Sequence, residues 1–320
     1  MEVGVVVDIL WPLERIARVA RAADETGFDQ VWLSDHPLAL DPFLTLLHLA
    51  PQLKRIRLGI GTINPSARHP AIIAASAATL NDLTGGRFWL GIGSSIPSLL
   101  NPIGLDVAGQ IPRCREAALI IRQLLEHGRS DFAGGVFTTR GAHFMSGKPA
   151  PIPVLMGTSG GPEMLRISGE VAHGIIIPAG NRKFYEYAIT TFRRAHAAAG
   201  RTDPTYIVLN GNIAVANDPS TARELIRPLV ADSIAHRAMN QHSLRELGIS
   251  LEQAEAWRVN PASLPDNVLQ DSAIAGTPEE CVEGLARFAS WGISQLALRF
   301  PEEDTVRAVG AAVLPKLRRR

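Results

Sequence analysis

Short, almost wholly apolar runs recur along the first part of the chain, starting near residues 2, 29, 57 and 87, a spacing of about 28 residues. That rhythm limits the fold more than any other feature, because a strand, a crossover helix and a return to a parallel neighbour need about that length. The runs are Glu2 to Val7, Gln30 to Ser34, Arg57 to Gly61 and Arg87 to Ile92. Between them lie helical patterns. Pro12 opens one with Leu13, Ile16, Ala17, Ala20 and Ala23 on one face, stopped by Gly27; others run from about Pro42 to Leu53 and from His69 to Leu83.

The rhythm loosens through Gly93 to Leu105, continues in a helix from about Pro112 to His127, and gives way to a stretch, Ala133 to Pro151, that reads as hairpin and loop. It then resumes. VLMGTSGGPEMLRISGEVAHGIII, Val154 to Ile177, reads as strand, glycine-rich turn, helix opened by Pro162, and strand. A helix from Arg182 to Ala199 leads to an apolar run at Tyr206 to Ala216, and Asp218-Pro219 reads as N-cap and first residue of the next helix. Residues 240 to 276 break the period and are read as an insertion over one mouth of the structure. Thr277-Pro278-Glu279-Glu280 is a capping box, Gln295 to Arg299 the last strand, and Asp304 to Leu317 the last helix.

Eight strands, each followed by a helical pattern, predict an α/β fold: a closed (β/α)8 TIM barrel with insertions after strands 4 and 7, forming a single domain over residues 1–320. A doubly wound open sheet would usually carry a Gly-x-Gly-x-x-Gly turn after strand one, and Val7-Asp8-Ile9-Leu10 has none. A formal charge of +1 gives no reason to expect a nucleic-acid or membrane partner. The N-terminus, MEVGVVVDIL, has an acid at position two and no basic region, so it reads as a strand and not as a secretory signal. No apolar run reaches spanning length, and Cys114 and Cys281 both fall in helical patterns, as suits two buried free thiols; the expected location is the cytoplasm.

In a barrel the reactive groups gather at the carboxyl ends of the strands. Here those ends hold Asp8, Ser34-Asp35-His36, Gly61 to Asn64, Gly91 to Ser95, Gly157 to Gly161, Pro178 to Gly180, Asn210 to Asn212 and Arg299. The set contains no cysteine, no Gly-x-Ser-x-Gly elbow and no metal-ligand spacing. A mouth rich in glycine, amide and hydroxyl groups suits a protein that binds a large cofactor and lets it carry the chemistry. The glycines of 157 to 161, the hydroxyls of Thr158 and Ser159 and the start of a helix would together hold a phosphate; the plainer alternative is an ordinary turn.

Several of these stretches resemble the bacterial luciferase-like superfamily. They are Ser34-Asp35-His36, Gly59 to Pro65 with Arg68-His69-Pro70, Gly85 to Gly93, Gly157 to Leu165, and Ala275 to Glu279; the likeness covers residues 1 to 216 and 275 to 300. Within the superfamily they are most similar to the deazaflavin-dependent branch that includes methylenetetrahydromethanopterin reductase. The resemblance implies a (β/α)8 homodimer that binds coenzyme F420, or FMN, at the carboxyl face. It also implies a bulged third strand with a non-prolyl cis peptide at Gly61-Thr62. Asp35, Gly61, Thr62, Asn64, Gly93 and Ser94 would contact the ring and side chain, and Gly157, Thr158, Ser159 and Gly160 the phosphate. Asp35 and His36 would be catalytic, one donating to the cofactor and the other acting as acid or base; a helix cap and a structural histidine are the alternative for them. Asn64 before Pro65 could equally shape a turn, and Arg68-His69 reads as structural. Arg182, Lys183, Arg193 and Arg194 are either a solvated face or a surface for the acidic tail of F420.

One departure bears on substrate. Several deazaflavin dehydrogenases carry an acid after the Gly-x-Gly of strand four, where this chain has Ser94, Ser95, Ile96, Pro97, Ser98, Leu99 and Leu100. This argues against sugar-phosphate oxidation by that route and for an apolar or pterin-like small molecule, with 240 to 276 closing over it. Three functions remain open at this level. The first is hydride transfer between F420 and an organic substrate. The second is an FMN-dependent monooxygenase fed by a flavin reductase, and the third a non-catalytic flavin or deazaflavin carrier. Gly160→Asp is expected to weaken cofactor binding without unfolding the barrel.

Overall fold

A computed structural model describes residues 1–105, 108–238 and 248–319. Its strands are β1 (Glu2–Val7), β2 (Gln30–Leu33), β3 (Arg57–Ile63), β4 (Phe88–Gly93), β5 (Arg129–Ala133), β6 (Thr138–His143), β7 (Val154–Gly157), β8 (Gly174–Pro178), β9 (Tyr206–Val215), β10 (Ala273–Gly276) and β11 (Gln295–Arg299). The main helices through residue 238 are α1 (Leu13–Thr26), α2 (Pro42–Leu49), α3 (Pro70–Leu83), α4 (Pro97–Leu100), α5 (Gln110–His127), α6 (Pro162–Val171), α7 (Arg182–Ala198) and α8 (Pro219–Ala238).

Eight parallel strands close on themselves in the order β9-β11-β1-β2-β3-β4-β7-β8, with β8 returning to β9. Gly174 to Pro178 run beside Tyr206 to Asn210, while Gln295 to Arg299 hold the other edge of β9. The expected (β/α)8 barrel is therefore observed, and its largely apolar strands are explained by burial on both faces. Between strands and helices lies the outer core. Inside the barrel, Trp32, Trp89, Leu155, Ile176, Val208 and Ala297 pack together. Beneath them is a polar floor: the Trp32 indole donates to Gln295 Oε1 at 2.7 Å, and Gln295 Nε2 donates to Gln30 Oε1 at 3.0 Å.

The interruption after β4 holds α4, α5 and the antiparallel pair β5–β6. This hairpin begins at Arg129, four residues before the sequence reading places it. Glu116 on α5 fixes its turn by accepting the N–H groups of Gly135, Val136 and Phe137 at 2.8, 2.9 and 2.8 Å. The interruption after β9 contains α8, helices Leu251–Val259 and Asp266–Ser272, and β10. Residues 239–247, which include the start of the predicted insertion, lie outside the described residues. The remainder of that insertion packs on α8, where Ala254, Leu264 and Leu269 meet Ile226, Val230 and Ile234, and β10 pairs with Asn212 to Val215 of β9.

The last helix is two pieces, Glu303–Ala312 and Leu314–Leu317, divided where Pro315 opens the second. Cys114 and Cys281 are buried free thiols, each with its pKa pushed up to about 12 by burial. Among the described residues no helix is long and apolar enough to cross a membrane.

Candidate active site

At the carboxyl rim, β3 carries a bulge. Its ladder with β4 steps from Ile60 opposite Leu90 to Ile63 opposite Ile92, and the Gly61-Thr62 peptide between them is cis. The bulge turns Thr62 toward β4 and β7, and both strands have glycine there. A Cβ on Gly93 would stand 2.4 Å from Thr62 Oγ1, and one on Gly157 would stand 2.6 Å from Thr62 Cγ2. No side chain larger than hydrogen fits at either place beside this threonine.

Two clefts meet over this threonine. One, about 290 Å³, reaches Ser34, Asp35, His36 and Asn64; the other, about 450 Å³, reaches Gly157, Thr158, Ser159, Gly161 and Asn210. Gly61, Thr62, Gly93, Ser94, Ser95 and Ile96 line both. The expected site residues thus come together on one rim, with one exception. Gly160 lines neither cleft: it has a φ of +96° and its missing Cβ would lie 2.4 Å from the Phe184 ring. Its place on the cleft wall is taken by Gly161, where nothing lies within 4 Å of an added Cβ.

Asp35 is half-buried at the end of β2. Burial lifts its carboxyl above the usual range, and the Arg68 guanidinium and the Asn64 N–H, 3.5 Å from Oδ2, offset this only in part. Arg68 is itself ion-paired with Asp41 and so gives Asp35 less than a full charge. A carboxyl with a raised folded pKa lends stability below the unfolded value, and that stability is lost as pH rises through the folded one. Asp35→Asn is therefore expected to raise the melting temperature at pH 7, with a smaller gain at pH 4. Equal gains at the two pH values would contradict the assignment.

The Asn64 side chain serves the turn: Oδ1 accepts the Ser66 N–H at 2.6 Å, and Nδ2 lies 3.5 Å from Gln110 Oε1. Asn64 lines the smaller cleft and is 5 % exposed. His69 caps α3, its Nδ1 accepting the Ala71 N–H at 3.2 Å, and its ring meets Phe137 edge-on. Arg68 and His69 therefore have structural partners. Gln110 and Ile111 reach the site from the start of α5, just before the proline where the sequence reading opens that helix; neither is marked by any motif.

In the glycine loop the Thr158 N–H donates to the Ile176 carbonyl at 3.0 Å, and the Thr158 hydroxyl accepts the Gly160 N–H at 3.0 Å. Gly161 is the N-cap of α6 and provides no side-chain acceptor; Pro162 follows with no N–H. The first-turn N–H groups of Glu163 and Met164 have no carbonyl within the helix to bind, and the macrodipole adds partial positive charge at the cleft. The loop can hold an anion. Among the described residues no cluster of histidine, cysteine or carboxylates could hold a metal ion. None of the residues lining these two clefts comes from 248–276.

The sequence profile of the family described as luciferase-like monooxygenase matches residues 4–295. The chain is 29% identical to a 5,10-methylenetetrahydromethanopterin reductase of Archaeoglobus fulgidus, over 93% of this chain and 94% of that one. It is 28% identical to an F420-dependent glucose-6-phosphate dehydrogenase of Mycolicibacterium smegmatis, over 91% and 89%. The solved structure of the coenzyme F420-dependent tetrahydromethanopterin reductase from Methanopyrus kandleri superposes with a TM-score of 0.86, at 26% identity and 99% coverage of both chains.

Proposed function

Since the chain belongs to the luciferase-like monooxygenase family, whose profile covers nearly all of it, we propose that this oxidoreductase moves a hydride between coenzyme F420 and an organic substrate. The observation that carries the reading is the junction of two clefts over Thr62, one ending at Asp35 and His36 and the other at an anion-holding glycine loop. A flat ring with a phosphorylated arm matches that shape. Relatives named for F420 favour the deazaflavin over FMN. Bound there, a deazaflavin supplies a hydride-carrying carbon and does not readily activate oxygen.

The protein's own groups do the rest. Gly93 and Gly157 leave the floor flat beside Thr62, and Thr158, Ser159, Gly157 and the start of α6 would hold the phosphate. Asp35, with its raised pKa, holds a proton more readily than an exposed carboxylate, and His36 beside it is the partner acid or base. Ile96 and Leu99 make the wall of the smaller cleft apolar, and Ser94 and Ser95 put no acid there, which supports an apolar or pterin-like substrate over a sugar phosphate. Titration of the purified protein with F420 and with FMN, followed by absorbance, tests the reading. Tight binding of F420 alone supports it. FMN alone would point to an oxygen-dependent monooxygenase, and binding without turnover of any substrate to a carrier.

The molecule is proposed to work as a homodimer joined through α2 and α3. These helices pack together and leave Leu44 67% and Ile72 61% exposed, with Leu47 of α2 and Leu38 and Leu40 of the preceding loop also in water. Such an apolar face suits a second copy of the same surface. Leu44→Glu is expected to shift the mass measured by light scattering from dimer to monomer at micromolar concentration. A wild-type protein that is already monomeric there would refute the proposal.

A further inference from the structure

The cofactor clefts occupy the arc of the rim from β2 through β3, β4, β7 and β8 to Asn210 of β9. On the remaining arc one side chain is out of balance with its surroundings. Successive residues of a strand face opposite sides. On β11, Gln295 joins the polar floor and Ala297 the interior cluster, so Arg299 lies on the same inner face, one step nearer the mouth. Ala297 is level with Asn210, which lines the larger cleft, and Arg299 is level with Asn212.

Arg299 is open to water, yet among the described residues its guanidinium has no hydrogen bond and no ion pair. Partial desolvation at the mouth lowers its pKa, with Asp8 and Asp232 the charges that oppose this. Asp8 is partly engaged, its Oδ1 accepting the Leu10 N–H at 2.9 Å. An arginine at the mouth of a barrel with no carboxylate of its own is suited to a ligand carboxylate or phosphate, whose two oxygens match the guanidinium fork.

We propose that Arg299 is the substrate-positioning residue of this site, binding a carboxylate carried by an otherwise apolar substrate. The flanking Asp8 and Asp232 weaken the local positive potential, which favours a singly charged carboxylate over a doubly charged phosphate. The proposal deepens the oxidoreductase reading and rests on it for the meaning of the mouth.

Its test needs no cofactor. Binding of benzoate, phenyl phosphate and benzyl alcohol is measured by calorimetry, at fixed ionic strength, on the wild type and on Arg299→Leu, Arg299→Lys and Gly161→Asp, each checked for an unchanged melting curve. Benzoate is expected to bind the wild type at least tenfold more tightly than benzyl alcohol. Arg299→Leu should abolish that margin, Arg299→Lys should keep part of it, and Gly161→Asp should leave it intact. Phenyl phosphate binding more tightly than benzoate would overturn the choice of carboxylate. No margin in the wild type, or one surviving in Arg299→Leu, would overturn the subsite. A margin lost in Gly161→Asp alone would place the anion in the glycine loop, removing the role of Arg299 while leaving the cofactor reading standing.

Discussion

Gly161→Asp is expected to weaken cofactor binding about thirtyfold or more while leaving the melting temperature of the free protein unchanged or slightly higher. The two effects separate because of where this residue stands. Gly161 has an ordinary φ of −59°, nothing lies within 4 Å of an added Cβ, and it is the N-cap of α6 with no capping side chain. Aspartate is a better N-cap than glycine by a few tenths of a kcal/mol, and its charge suits the helix dipole. The same carboxylate would face a bound phosphate at contact range, where repulsion at a protein surface amounts to about 2 kcal/mol or more. Titration of the variant with F420, with a melting curve on the same sample, gives both numbers. Unchanged affinity would remove the phosphate from this loop. A sharp fall in melting temperature would show that α6 does not tolerate the cap, contrary to the geometry.

The equivalent change at Gly160, which the sequence alone suggests, is a poor probe of affinity. With φ at +96° and Phe184 in the way, Gly160→Asp strains the backbone and displaces a buried ring, so lost binding would not report on charge. The sequence reveals a glycine-rich loop but not which glycine faces the ligand, because that depends on Phe184 of α7, 24 residues further on. Asn64 teaches the same lesson. Its place after the bulge is legible, yet its amide is spent on Ser66 and on Gln110, 46 residues away.

The barrel strands were readable because each is buried on both faces, which makes the apolar runs continuous and their spacing regular. The start of the hairpin is not legible because β5 and β6 are largely exposed, and their turn is held by Glu116 from another element. β10 leaves no signal in the sequence because a four-residue strand completed by β9 carries no periodicity of its own. The bulge at Gly61-Thr62 is legible through resemblance and not through pattern, since a local break of register leaves no trace in hydropathy.

Acid should undermine the opposite end of the barrel before it damages the rim. His173 stands just before β8, with its N–H donating to the Val154 carbonyl at 2.8 Å and its own carbonyl accepting the Tyr206 N–H at 2.9 Å. Its ring also works, Nδ1 accepting the Val154 N–H at 3.1 Å. One residue thus joins β7, β8 and β9 at their amino ends. Burial, aided by Arg122, pushes its pKa down to about 4 from 6.5, and Glu126, 3.6 Å from Nε2, does not reverse this. A histidine whose folded pKa is depressed gives stability that is complete above the unfolded value and is lost as pH falls from 6.5 toward 4, because the unfolded chain then binds the proton more readily. At pH 4.5 the loss from this group amounts to about 2 to 3 kcal/mol. His173→Asn keeps an acceptor near Nδ1 and removes the titration, so its stability in urea should fall less between pH 7 and pH 4.5 than that of the wild type, by about that amount. Asp203, whose pKa is held at about 2 chiefly by Arg201 despite its burial, titrates below this window and should leave the comparison undisturbed. Parallel pH profiles for the two proteins would mean that His173 is already protonated in the fold, and that the strand ends are held by the backbone bonds alone.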